Sequence, residues 1–313
     1  MKISINPSYF CNLRCNFCYY YDWLGDRKCL DLQKLNQLLS QIDALHGIDW
    51  IDLYGGEITV LPYDYTQELL KTIRAHYSGT ISVITNFVKP APMFVGPNKL
   101  FDESNYRTAV SYDFECRQHH EKVWNNILSH EGDVHVLMVA TPCLMEKNVD
   151  DMILQLNMAT NIRSVDIKSY SSSQHNDFQL PWKDYESFLQ RWISSPIPKN
   201  FECVVERNLM QCFSGERSSW NDDHVFINPD GKLTLIEYDE QDRELFRELD
   251  GIEDFAKYAS REKERVLTNP ICSTCPWVGR CLTEQYRNVL DINKGCNGFR
   301  GLIEWYKAHV SHF

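Results

Sequence analysis

No apolar run in the 313-residue sequence approaches the roughly 20 residues that a membrane-spanning helix requires, which argues against a helical membrane protein. The N-terminal stretch MKISINPSYF lacks the charged-then-apolar layout of a secretory signal, so a cytoplasmic location is expected. There is no basic cluster either. The formal net charge is −11, and without a local basic patch such a chain repels nucleic-acid phosphates, whereas a neutral or basic partner is easier to accommodate. Nor is the composition that of a disordered chain: 43% hydrophobic and 24% charged residues are the proportions of a globular protein long enough to bury a sizeable core. Internal repeats and low-complexity tracts are also absent.

What the chain has in quantity is cysteine. Twelve are many for a compartment in which thiols stay reduced, and this argues against a disulfide framework. Their distribution points to metal ligation instead. Cys11, Cys15 and Cys18 fall within eight residues, and Cys272, Cys275, Cys281 and Cys296 within 25, while Cys29, Cys116, Cys143, Cys203 and Cys212 are scattered.

Short β-rich runs alternate with segments of helical period over the first 195 or so residues, the mark of βα units around a parallel sheet. Six strands are predicted, at 2–8, 50–56, 81–85, 107–113, 134–140 and 164–170. Between the first two, Leu32, Leu35, Leu38, Leu39, Ile42 and Leu45 recur on one helical face behind Asp31 as N-cap. Further helices are predicted at about 63–77, 116–129, 149–158 and 182–194, and the Pro-rich connection VKPAPMFVGPNKLF is predicted to be irregular. Six such units make an α/β fold of the partial (β/α)6 TIM-like barrel kind. After SSPIPK the rhythm changes: HVFINPDGKLTLIEY reads as a hairpin about Asp230-Gly231, followed by a charged helical stretch and the Cys-rich tail. Two domains are expected, a barrel over 1–195 and a small Cys-rich α+β domain over 196–313.

The stretch CNLRCNFC follows the first predicted strand directly, where a loop can wrap a cubane with all three thiolates inward. A four-iron cluster with three protein thiolates keeps one iron open to a ligand; the bland alternative is a structural zinc site that lacks its fourth ligand. At the end of the second strand stands Gly55-Gly56-Glu57, where glycines allow close backbone approach and an acidic group can pair with an ammonium. Taken alone, Gly-Gly-Glu is as often a simple turn.

The CxxxCxxC spacing with Phe17 before the last cysteine, directly after strand one, resembles the signature of the radical S-adenosylmethionine (SAM) superfamily. That resemblance implies a SAM-binding [4Fe-4S] cluster on Cys11, Cys15 and Cys18, whose open iron binds the SAM amine and carboxylate. It also implies reductive cleavage of SAM to methionine and a 5′-deoxyadenosyl radical, fed by an external electron donor such as flavodoxin or ferredoxin. Gly55, Gly56 and Glu57 would hold the SAM amine. Thr85 and Asn86, ending strand three, and Ser111 and Asp113, ending strand four, stand where members of the family meet the methionine moiety and the ribose, although as polar loop caps they could equally touch no ligand. Lys168 and Tyr170 are lesser candidates.

The tail CSTCPWVGRC and Cys296 could hold zinc as readily as a cluster on spacing alone. The segment resembles the SPASM extension of radical SAM enzymes, whose cysteine pattern this chain meets only in part: Ile236 and Gln285 stand where two cysteines are expected. The resemblance assigns both missing positions to the inner auxiliary cluster, which leaves one auxiliary [4Fe-4S] cluster on Cys272, Cys275, Cys281 and Cys296. Cys212 is then left without cluster partners, either as a small buried hydrophobe or as a thiol that donates a hydrogen atom to a substrate radical, with Cys203 a second choice.

SPASM-type extensions imply a peptide substrate, here a ribosomally made precursor. Because the cluster motif begins at residue 11, a peptide leader is expected to need a separate binding protein or another surface. Crosslinking is the favoured outcome. Epimerisation through Cys212, dehydrogenation of a small alcohol or sugar, activation of a whole protein and a zinc-binding scaffold without catalysis remain as alternatives.

Overall fold

The computed structural model describes residues 1–170, 180–220, 222–236, 246–283, 296 and 298–309. Six strands run in chain order through one sheet: β1 (Lys2–Ile5), β2 (Trp50–Leu53), β3 (Ile81–Thr85), β4 (Tyr106–Ser111), β5 (Val134–Val139) and β6 (Ile162–Lys168). Each neighbouring pair is parallel. Parallel neighbours need long crossovers, supplied by α1 (Leu32–His46), α2 (Tyr63–Arg74), α3 (His120–Ser129), the short α4 (Pro142–Met145) with α5 (Val149–Asn157), and later α6 (Trp182–Ser194). The connection from β3 to β4 carries no helix, as its prolines imply.

The α1 boundary shows how closely local chemistry is obeyed. Asp31 accepts hydrogen bonds from the backbone N–H groups of Gln33 at 2.8 Å and Lys34 at 3.1 Å, while Leu35, Leu39 and Ile42 face the sheet and are fully buried. Asp31→Ala should therefore cost about 1 kcal/mol, read as a lower urea midpoint at unchanged slope.

Five of the six predicted strands end early, the first two by three residues. The first stops at Ile5 and the second at Leu53, because Gly55, at φ 133°, leaves the extended region, and residues 6–10 peel away to form the loop that carries Cys11. The predicted helix at 116–129 begins only at His120. Ahead of it, a 3-10 turn at Phe114–Cys116 is bounded by positive-φ residues, Phe114 at 54° and His119 at 59°. The thiols of Cys116 and Cys143, scattered in the sequence, form a disulfide that ties this turn to α4.

Beyond the expected boundary near residue 195 the sheet continues. β7 (Glu202–Cys203) adds parallel to β6, and α7 (Val204–Ser214) follows it. β8 (His224–Ile227) pairs parallel with β1 on the opposite side. β9 (Leu233–Ile236) turns back antiparallel about Gly231, at φ 74°, and β10 (Phe246–Glu248) pairs with β9. The hairpin is thus where the sequence puts it, but it extends the barrel sheet to ten strands in the order β10-β9-β8-β1-β2-β3-β4-β5-β6-β7. The chain then forms α8 (Asp254–Thr268) and α9 (Arg300–His309). Position 285, one of the two departures from the SPASM pattern, lies outside the described residues. Among the described residues no helix is long and apolar enough to cross a membrane.

Candidate active site

A cavity of about 420 Å³ opens over the C-terminal ends of the parallel strands, the end at which parallel barrels carry their chemistry. Its size falls within the roughly 300–1,000 Å³ of small-molecule sites. Cys11, Cys15 and Cys18 all line it.

Backbone bonds build the loop that brings them there. The Cys11 N–H donates to the Leu24 carbonyl at 3.1 Å and that of Cys18 to Cys15 at 3.0 Å, while the N–H groups of Gly56 and Glu57 donate to Ser8 and Phe10 at 3.0 and 2.9 Å. The glycines do more than admit a ligand. A Cβ on Gly55 would lie 2.0 Å from Asn6 Oδ1, and one on Gly56 would lie 2.2 Å from the Phe10 carbonyl oxygen, so the pair lets the cysteine loop seat directly on the end of β2.

Glu57 does not present a free carboxylate. It is buried, and Oε1 accepts from Thr59 N at 3.0 Å, Thr59 Oγ1 at 2.7 Å and Thr85 Oγ1 at 2.6 Å, while Oε2 accepts from Asn86 N at 2.6 Å. Glu57 lines the cavity, and its carboxylate also ties the ends of β2 and β3 together. Thr85 and Asn86 do line the cavity, and Asn86 Nδ2 reaches Asn12 Oδ1 at 2.8 Å and Cys11 Sγ at 3.7 Å. Ser111, Lys168 and Tyr170 also line it.

Asp113 does not reach the cavity. Fully buried, it accepts from Val139 N at 2.6 Å and pairs with Arg117 at 2.5 Å, and it is Arg117 that lines the cavity, with one guanidinium nitrogen 3.6 Å from Cys15 Sγ. Sequence reasoning missed Arg117, although its i,i+4 spacing from Asp113 was visible. Also missed was the aromatic wall beside the thiols, where Tyr20 donates to Tyr54 at 3.0 Å and packs on Tyr9 and Tyr19.

Burial pushes the Cys11 thiol up to about 12 and the Cys18 thiol up to about 11; burial also raises that of Cys15, against the pull of Arg117. Three clustered thiols in such surroundings become thiolates when a metal group supplies the compensating charge. The donors aimed at sulfur, Leu13 N on Cys11 at 3.3 Å and Arg117 on Cys15, suit thiolate ligation, and the open cavity beside them leaves room for a further ligand. The residues therefore fit a three-thiolate cluster.

Cys272, Cys275, Cys281 and Cys296 are likewise brought together, around a small second cavity. Gly298 N donates to Cys296 Sγ at 3.2 Å and Ser219 Oγ to Cys281 Sγ at 3.7 Å. A Cβ on Gly298 would lie 3.0 Å from Cys281 Sγ, so this glycine keeps the space beside the sulfurs open. The donor set fits a four-thiolate centre. Among the described residues, no group of three or more His, Cys, Asp or Glu is gathered tightly enough to hold a single ion.

The two cavities share a wall. Cys281 and Gly298 line the small one, and the next residues along the chain, Leu282 and Phe299, line the large one. Arg217, also on the large cavity, donates from Nε to the Cys281 carbonyl at 2.8 Å. Cys212 is not brought to the large cavity: it is fully buried within α7, with Arg217 and Arg280 as its charged neighbours, and burial pushes its thiol up to about 12. Cys203 is buried too and accepts from Trp192 Nε1 at 3.2 Å.

An open parallel barrel with three thiols in the loop after its first strand and a glycine pair after its second is the arrangement of this chain, and its fold is shared with two sets of solved structures that hold S-adenosylmethionine. The particular relatives agree. A cysteine-type anaerobic sulfatase-maturating enzyme of Clostridium novyi (strain NT) is 24% identical over 222 residues, a match covering 61% of this chain and 58% of that enzyme. Among solved structures, anSMEcpe with bound AdoMet superposes with a TM-score of 0.67 at 15% identity, over 98% of this chain and 97% of its own. Streptococcus suis SuiB bound to S-adenosylmethionine superposes with a TM-score of 0.64 at 14% identity, over 92% of this chain and 73% of SuiB. Structures also exist of SuiB bound to precursor peptide SuiA and of anSMEcpe with AdoMet and Cp18Cys peptide. No family model matches the chain.

Proposed function

We propose that the chain is a radical SAM enzyme that modifies a peptide. The observation that carries this reading is the convergence of Cys11, Cys15 and Cys18 on one wall of a cavity large enough for SAM. Cys11, Cys15 and Cys18 would hold a [4Fe-4S] cluster, which would supply the electron for cleavage of SAM to methionine and a 5′-deoxyadenosyl radical able to take a hydrogen atom from the substrate.

The chain's own groups position and shield. The backbone of Gly55 and Gly56 keeps the cysteine loop against β2, Asn86 and Ser111 offer polar contacts to SAM, and the aromatic wall at Tyr20 and Tyr54 excludes water. The structures of SuiB and anSMEcpe with peptides support a peptide as substrate. The shared wall supports the oxidative outcome, a crosslink, because an auxiliary [4Fe-4S] cluster on Cys272, Cys275, Cys281 and Cys296 would have one ligand, Cys281, adjacent in the chain to Leu282 of the substrate cavity, within reach of an electron leaving the product radical. A cytoplasmic setting, a flavodoxin or ferredoxin as electron donor and a separate leader-binding protein complete the proposal.

Anaerobic reconstitution tests it. The protein should take up about eight irons per chain and, under reduction, convert SAM to 5′-deoxyadenosine. A supplied precursor peptide should lose two hydrogens. Zinc uptake without iron would sink the proposal, and deuterium uptake from solvent at unchanged composition would replace crosslinking with epimerisation.

A further inference from the structure

The three N-terminal thiols differ in what stabilises their sulfurs. Cys11 Sγ receives neutral donors, Leu13 N at 3.3 Å and Asn86 Nδ2 at 3.7 Å, whereas Cys15 Sγ receives a charged one, Arg117 at 3.6 Å. That guanidinium is held from the other side. Asp113 Oδ2 takes its Nε at 2.7 Å and its second terminal nitrogen at 2.5 Å, Asp113 Oδ1 takes Val139 N, and the plane lies 4.9 Å over the ring of Phe17. The side chains are 9% and 0% exposed. With two donors of the planar fork on the carboxylate, the direction of the third is set, and it points at Cys15. The tight turn at Phe114–Cys116, tied through Cys143 to α4, brings residue 117 back onto residue 113. Nothing in this arrangement requires SAM to be present.

We infer, on the reading of Cys11, Cys15 and Cys18 as cluster ligands, that Arg117 is a positioning residue that raises the reduction potential of the cluster through Cys15, with Asp113 setting its aim and offsetting its charge. Reduction adds negative charge to a cluster. A cationic donor on a ligating sulfur stabilises the reduced form, and it does so strongly in a buried site where water does not screen it. Asp113 opposes the effect with a carboxylate one guanidinium further away. The two members of one ion pair should therefore move the potential in opposite directions, which a general loosening of the site would not do.

The test is a redox titration of the reconstituted full-length protein followed by electron paramagnetic resonance, with the N-terminal cluster identified by the change in its signal on adding SAM. R117Q should shift its midpoint to more negative values, D113N to more positive values, and R117K, which keeps the charge and loses the fork, should stay closer to the unsubstituted protein than R117Q. The double variant R117Q/D113N leaves no unpaired buried charge and serves if either single variant fails to fold; its midpoint should lie negative of the unsubstituted protein. Unchanged midpoints with weakened SAM binding would overturn the inference and assign Arg117 to SAM, and shifts of one sign in R117Q and D113N would overturn it as mere disruption. If the unsubstituted protein holds no iron, the proposed function itself fails.

Discussion

Alanine in place of Cys11, Cys15 or Cys18 should abolish SAM cleavage and lower iron from about eight to about four per chain, because two thiolates do not retain a cubane in competition with water and the remaining centre is closed. The loss should be selective. All three thiols line the large cavity and none lines the small one, so the iron held by Cys272, Cys275, Cys281 and Cys296 should stay. Substitution within the C-terminal set should do the reverse, sparing SAM cleavage while preventing the oxidised peptide product. Iron analysis, assay of 5′-deoxyadenosine and peptide mass separate the two sets of variants. Full iron content in the Cys15→Ala protein would remove Cys15 from the ligand set.

Gly56→Ala should be nearly as severe by a different route. Its Cβ would meet the carbonyl oxygens of Phe10 at 2.2 Å and Tyr9 at 2.3 Å, and these are backbone atoms that cannot rotate away. The loop must lift from β2 or the substitution must be absorbed as strain, at a cost of about 3 kcal/mol, and either outcome displaces Cys11. Lower stability in urea should accompany loss of iron from the N-terminal site. Gly25 supplies the control from the same loop, since nothing lies within 4 Å of an added Cβ, and Gly25→Ala should leave both stability and iron unchanged. Equal behaviour of the two variants would show that loop seating does not decide cluster binding.

Much of this site could be read before any coordinates existed, and the reason is distance along the chain. The CxxxCxxC spacing, the cap at Asp31 and the turn at Asp230-Gly231 are short-range features whose partners lie within a few residues, so their chemistry is written where they stand. Glu57 shows the limit. The carboxylate after the glycine pair is visible in the sequence, but not the four donors from Thr59, Thr85 and Asn86 that it accepts, two of them about 28 residues away. Asp113 likewise reads as a ribose ligand until Val139, from the neighbouring strand, and Arg117 are seen to hold it.

By itself the sequence determined the order of the first six strands and of the helices between them, the two sets of clustered thiols and the absence of a membrane-length apolar run, because each depends on periodicity or spacing along the chain. Only the tertiary structure decided that β8 lies parallel beside β1, that Cys212 is buried away from the large cavity while Arg117 enters it, and that Cys281-Leu282 and Gly298-Phe299 form one wall between two cavities. Those facts rest on strand register and on side chains meeting across the fold, and contacts between residues far apart in a chain leave no local signature in it.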